Sequence, residues 1–172
     1  ELSKYLSVAS GSHFQTNALD GVDHGMSAIT LRGMDHASTL VLINKKRQTH
    51  AGTPSHEGEG YIDVNIIPEI ALERIEILKD GATSLYGSDA VAGVINFHTY
   101  HAFDGLKISA TSQETSNYDQ KDTSLGLLHG GEAFDGKYVI AISRLNRSPL
   151  NASEIPKLAE LGLSGLGNSF KI

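Results

Sequence analysis

Residues 73–97 constrain the fold more than any other part of this chain. Ile75 and Ile77 alternate with Arg74 and Glu76, the period-two pattern of a strand over Arg74 to Leu78. Asp80-Gly81 then reads as a turn. A small-residue helical turn follows and ends at Tyr86-Gly87. A second strand, Val94 to Phe97, starts just after Gly93. Gly81, Gly87 and Gly93 read as turn and close-packing positions. A phosphate cradle is discounted, because Gly81 to Ser88 lacks the lysine that a P-loop needs. Ser84 and Ser88 lie near Asp89, but no Gly-x-Ser-x-Gly elbow is present, so the chain reads as no enzyme.

Three further elements precede this stretch. Leu31-Arg32-Gly33 follows a short strand pattern in which Ile29 and Leu31 alternate with Thr30 and Arg32. Leu40 to Ile43 is an apolar run of the kind that suits a strand buried on both faces, and Asn44-Lys45 turns it. Asn65-Ile66-Ile67-Pro68 leads into Pro68 to Glu73, which starts like a helix, with proline and an acid in the first turn. Residues 70–79 fit both a helix and a strand. Together, and in this order, the elements of residues 20–100 resemble the plug domain of TonB-dependent outer-membrane receptors. The resemblance favours a helix of one to two turns ending near Glu73, then a strand. It departs at Lys45, where the family has glycine. A type I′ turn wants positive φ at both central residues, so Lys45 argues against that turn type.

After Tyr100 the texture changes. Leu106, Ile108 and Ala110 alternate with polar residues. So do Leu125 and Leu127, and Tyr138, Ile140 and Ile142 mark a third segment. Connectors fall at Ser116 to Asp122 and Gly130 to Gly136. The pattern predicts an antiparallel meander over 106–115, 123–130 and 137–146, with Tyr138, Ile140 and Ile142 on one face. A soluble sheet with one wet face fits the pattern by itself; the plug signature upstream favours a membrane barrel. Residues 148–172 read as a long loop with a short helix. No apolar run reaches the length of a membrane-spanning helix, a test blind to barrel strands.

The resemblance implies an α+β plug domain, a mixed sheet with short helices, over residues 1–100. Residues 101–172 would begin a transmembrane β-barrel of about 22 antiparallel strands. Three strands cannot close a barrel, so the chain reads as a piece of a longer protein; it also begins without the family's N-terminal energy-coupling segment. The implied function is import of a scarce ligand (siderophore, haem, cobalamin or carbohydrate) across a Gram-negative outer membrane. The implied partners are TonB with its inner-membrane energising complex, the imported ligand and outer-membrane lipid. The rival is a soluble ligand-binding or assembly module with a plug-like fold.

Charge and composition narrow the partners. Net charge is −6 with no basic stripe, so no nucleic-acid partner is expected. The absence of cysteine excludes disulfides and thiolate metal sites. The eight histidines include His36, His50, His56, His98 and His101 in or near loops. His50, His56, Glu57 and Glu59 share the aperiodic loop 48–60, whose length suits a functional loop. Imidazole with carboxylate suits a metal chelate, and a solvated loop tip explains the same residues. The spacing matches no rigid template, so no metal or cofactor is assigned. By resemblance this loop is the ligand-facing apex. Arg32, Glu73, Arg74 and Glu76 are charges set in apolar strands. They read either as surface pairs worth about 0–1 kcal/mol or as an electrostatic lock between plug and barrel.

Overall fold

The computed structural model describes residues 27–55, 58–79, 83–116 and 120–148. They form two compact units. One comprises Glu1–Ile67 and Leu72–Tyr100; the other comprises Pro68–Ala71 and His101–Ile172.

The first unit holds a four-stranded mixed sheet. Its strands are β1 (Thr39–Ile43), β2 (Lys46–Arg47), β3 (Leu72–Leu78) and β4 (Gly93–Thr99), in the order β2-β1-β4-β3. β1 runs parallel to β4 and antiparallel to β2, and β3 is antiparallel to β4. The apolar run Leu40 to Leu42 is buried on both faces, as its composition predicts. One face carries Ile29, Leu31, Val41, Ala92, Ile95 and Phe97, with Ile75 and Ile77 packed against them. The other carries Leu40, Leu42, Ala90 and Val94, with Tyr86. The alternation in β4 decides which face each residue joins: Ile95 and Phe97 enter the first cluster, while Asn96 and His98 fall on the opposite side.

Two local expectations change. The helix expected from Pro68 to Glu73 is a single 3-10 turn, Glu69–Ala71, closed by Ala71 N–H on the Pro68 carbonyl at 2.9 Å. β3 already starts at Leu72, because the edge of β4 offers it a hydrogen-bonded partner from Leu72↔Thr99 onward. A short helix has no comparable gain, since nucleating one turn fixes several dihedrals for one bond. Secondly, Asn44 and Lys45 both have positive φ, 50° and 67°, between the paired residues Ile43 and Lys46. This is the type I′ signature that Lys45 argued against. Tertiary bonds hold it. Asn44 N–H donates to the Phe97 carbonyl at 2.8 Å and Lys45 N–H to Asn96 Oδ1 at 2.9 Å. The Asn44 amide donates to Thr99 Oγ1 at 2.8 Å and accepts from Thr99 N–H at 2.9 Å.

Between β3 and β4 lie α1 (Thr83–Tyr86) and a 3-10 turn, Ser88–Ala90. Arg47 in β2 reaches both: its guanidinium donates to Asp89 Oδ2 at 2.5 Å and to the Tyr86 carbonyl. Its guanidinium, and then the Ser88 hydroxyl, hold the Asp89 carboxyl below the usual carboxylate range.

The second unit is a three-stranded antiparallel sheet of β5 (Gly105–Glu114), β6 (Lys121–Ala133) and β7 (Gly136–Arg147), in that order. β6 and β7 outrun their predicted spans, while β5 keeps its predicted length one residue earlier. The connector expected over Gly130 to Gly136 contracts to Phe134-Asp135, both at positive φ, because Gly130 to Ala133 pair with Gly136 to Val139. Register puts Ile108, Leu127 and Ile142 in one row and Leu106, His129 and Ile140 in another on the same face. Tyr138, Ile140 and Ile142 share that face, as expected. The opposite face is mixed: it carries the row Ser109, Gly126 and Ser143 and also Leu128, Val139 and Leu145. No helix among the described residues is long and apolar enough to cross a membrane, which says nothing of strands.

Candidate functional site

Two sets of sequence-predicted residues fall in the first unit. The loop 48–60 is tied down at several points. Ala51 N–H donates to the Tyr61 carbonyl at 2.8 Å, and Ser55 N–H to the Glu59 carbonyl at 2.8 Å. The Ser55 hydroxyl accepts from Glu59 N–H at 3.3 Å, and Ser55 and Tyr61 are both buried. The His50 ring lies against Gly60, where a Cβ would run into it. One carboxylate oxygen of Glu59, Oε2, is buried without a hydrogen-bond partner among the described residues. His56 and Glu57 lie outside the described residues. Among the described residues no three histidine or acidic side chains converge as a metal site.

The charges of β3 form a second cluster. Arg74 sits opposite His98 and Glu76 opposite Asn96 across the β3–β4 pair, so all four share one face. Arg74 Nε bonds Glu76 Oε1 at 3.1 Å and Nη1 lies 3.4 Å from Glu73 Oε2. Its Nη2 lies 3.3 Å from His98 Nδ1, and His98 Nε2 lies 2.7 Å from Glu76 Oε2. A guanidinium can only donate, so His98 Nδ1 is the acceptor in that contact. The Asn96 amide nitrogen lies 2.7 Å from the same Nε2 while its oxygen accepts from Lys45 N–H. The hydrogen bond from His98, followed by that from Arg74, pulls the Glu76 carboxyl from 4.5 down to about 2.

Arg32 does not join this cluster. It stands at φ 60° in the turn that Met34 N–H closes on the Leu31 carbonyl, and its guanidinium donates to the Lys79 carbonyl. The partner shown for it among the described residues is therefore a backbone carbonyl of the plug. A positive φ at Arg32 turns its side chain out of the strand line that the sequence pattern implied.

Sequence reasoning placed His98 in or near a loop. It is a buried residue of β4, 4% exposed. The alternation of Asn96 and His98 with Ile95 and Phe97 carried that signal. Arg47 and Asn96 were missed entirely. Nothing local marks Arg47, because its partners Tyr86 and Asp89 are about forty residues distant, at separations of 39 and 42.

Comparison with known proteins identifies the family. Residues 4–94 match the family model of the TonB-dependent receptor plug domain. The chain is 44% identical over 72 residues to an iron-regulated outer membrane virulence protein of Vibrio cholerae, covering 41% of this chain and 11% of that protein. It is 29% identical over 137 residues to the vitamin B12 transporter of Vibrio vulnificus, covering 62% of this chain and 22% of the transporter. The fold is similar to the siderophore receptor PirA of Acinetobacter baumannii, with a TM-score of 0.63 at 24% identity over 89% of this chain and 23% of that one. It is also similar to the ferric enterobactin receptor of Pseudomonas aeruginosa, with a TM-score of 0.60 at 23% identity and the same coverage. The chain thus spans about a quarter or less of these relatives' length.

Proposed function

The chain belongs to the TonB-dependent receptor plug family of the Gram-negative outer membrane, and from that premise we propose that it gates the import of an iron chelate, with TonB supplying the energy. The observation that carries this reading is the pairing of a plug-type mixed sheet with an amphipathic strand sheet in one chain. On the apolar face of that sheet Leu106, Ile108, Leu125, Leu127, Ile140 and Ile142 are between 38% and 68% exposed. A large aliphatic side chain left in water forgoes about 1.5–3 kcal/mol, so a soluble module has no reason to line them up. A lipid-facing barrel wall does, with polar residues turned to its lumen. An open sheet edge is intolerable in lipid, so the three strands continue into a closed barrel.

Iron is favoured over other cargo by the iron-regulated relative, which shares the highest identity quoted above. In this reading loop 48–60 faces the outside, with His50, His56, Glu57 and Glu59 toward the chelate. The Glu73, Arg74 and Glu76 charges, with Arg32, meet the barrel wall. The test is uptake of radiolabelled ferric enterobactin by iron-starved cells expressing the full-length receptor. Uptake that needs TonB and stops with a protonophore supports the reading. Equal uptake without TonB, or uptake of cyanocobalamin alone, refutes it.

A further inference from the structure

The strand sheet of the second unit carries a cation that its own face does not neutralise. Arg144 stands on the same face of β7 as Ile140 and Ile142, because side chains two residues apart in a strand point the same way. Register places Leu125 and Ala110 beside it. The next row toward the Phe134-Asp135 turn is Ile108, Leu127 and Ile142, all exposed. The next row away from that turn is Ser112, Thr123 and Asn146. Arg144 therefore sits where the face changes from aliphatic to hydroxyl and amide. Among the described residues its side chain has no ion pair or hydrogen bond. The other cations of β6 and β7 have carboxylates close by. Lys121 Nζ donates to Glu114 Oε1 at 2.5 Å, Arg147 Nε donates to Asp122 Oδ2 at 2.7 Å, and Lys137 Nζ lies 4.0 Å from Glu132 Oε1.

Position along the strand decides what the guanidinium can meet. The far end of the same face holds Tyr138, whose hydroxyl lies 3.3 Å from His129 Nδ1. Tyr138 and Asn146 are eight residues apart on β7, about 27 Å along a strand. A tilt of about 40° brings that to about 20 Å, against a lipid-facing apolar band about 25 Å tall with aromatic residues at its edges. An arginine in the middle of such a band is strongly unfavoured, and near its edge almost neutral. With Tyr138 at one edge, the row of Arg144 comes close to the other, and a long side chain can extend from there to the headgroups.

We propose that Arg144 binds the phosphate of a membrane-lipid headgroup, with the Asn146 amide and the Thr123 and Ser112 hydroxyls completing the site. A guanidinium meets phosphate with two parallel N–H donors, which makes the contact strong and directional. Asn146, Thr123 and Ser112 carry no charge, so they add donors to an anion without repelling it. The exposed rows of Ile108, Leu127 and Ile142 lie against the acyl chains of the same lipid, which a free phosphate ion lacks. This inference rests on the barrel-wall reading of the apolar face but not on the identity of the cargo.

The test uses the purified full-length receptor, stripped of lipid in detergent, and native mass spectrometry with added dioleoylphosphatidylglycerol. Arg144→Gln should weaken the most tightly held lipid about tenfold, the worth of one charge-assisted hydrogen-bonded contact. A dioleoyl galactosylglycerol, with the same chains and no phosphate, should bind parent and variant alike. Equal phosphatidylglycerol binding by parent and Arg144→Gln overturns the site. Displacement of the lipid by excess inorganic phosphate makes it a free-anion site and overturns the lipid assignment. A nitroxide at Ile142→Cys, in a receptor otherwise free of thiols, reads the surroundings of the face separately. Relaxation by dissolved oxygen rather than by a water-soluble nickel chelate puts the face in lipid; the reverse refutes the barrel-wall reading itself, whatever the lipid titration gives.

Discussion

Asn44→Ala should loosen the plug sheet at a turn whose shape Lys45 does not favour. Two contributions add. Asn44 is a residue type that tolerates the left-handed region; alanine at φ 50° meets the steric cost of that region, about 1–2 kcal/mol. The substitution also removes two hydrogen bonds, from the amide to Thr99 Oγ1 and from Thr99 N–H to the amide oxygen. Each contributes about 0.5–1.5 kcal/mol net. The sum is about 2–5 kcal/mol, which in local opening means amide exchange faster by about thirtyfold or more. Hydrogen exchange with mass spectrometry on peptides spanning β1, β2 and the end of β4 reads it directly. Lys45→Gly is the mirror experiment. Glycine relieves the strain at φ 67° but adds entropy to the unfolded chain, so the net gain is about 0.5–1 kcal/mol and exchange slows a few-fold. Asn44→Ala exchanging within threefold of the parent, or Lys45→Gly exchanging faster, refutes the account of this turn.

Three more outcomes follow from particular contacts. Because Glu76 is held at about 2, its charged form stabilises the β3–β4 pair above its ordinary 4.5 and that contribution is lost as pH falls toward 2. Exchange of β3 amides, corrected for intrinsic rates, should therefore rise in that window, and Glu76→Gln should remove the dependence; an unchanged pH profile in the variant contradicts the assignment. Gly93→Ala places a Cβ 2.6 Å from the Leu78 carbonyl oxygen and 2.7 Å from Leu31 Cδ1 at a φ of 137°. It should cost about 3 kcal/mol or more, visible as protease sensitivity of the plug, and a variant as resistant as the parent argues against the packing. Deleting residues 52–58 cuts no strand, so it should weaken ferric enterobactin binding at least severalfold while β1 and β4 keep their exchange protection; unchanged affinity, or loss of protection, counts against the loop as ligand apex.

Much of this fold is legible in the sequence because its strong signals are local. Leu40 to Ile43 suits a doubly buried strand, since such a run leaves no polar face for solvent. Alternation in 106–115 and 137–146 sorts every side chain to one of two faces, and period two survives whatever the sheet packs against. What the tertiary structure alone decided is every feature whose energy comes from distant residues. Residues 70–79 fit both a helix and a strand; the free edge of β4 chose the strand from Leu72 onward. Asn44-Lys45 has the wrong second residue for its turn, yet bonds from Phe97, Asn96 and Thr99 impose it. His98 reads as a loop histidine until Arg74 and Glu76 close on its two nitrogens across the strand pair. Arg47 gives no signal at all, because its worth lies in two acceptors brought back by the chain after some forty residues. Local pattern reports which face a residue occupies. Only the folded chain reports what stands opposite it, and the chemistry of this plug lies in those cross-strand partners.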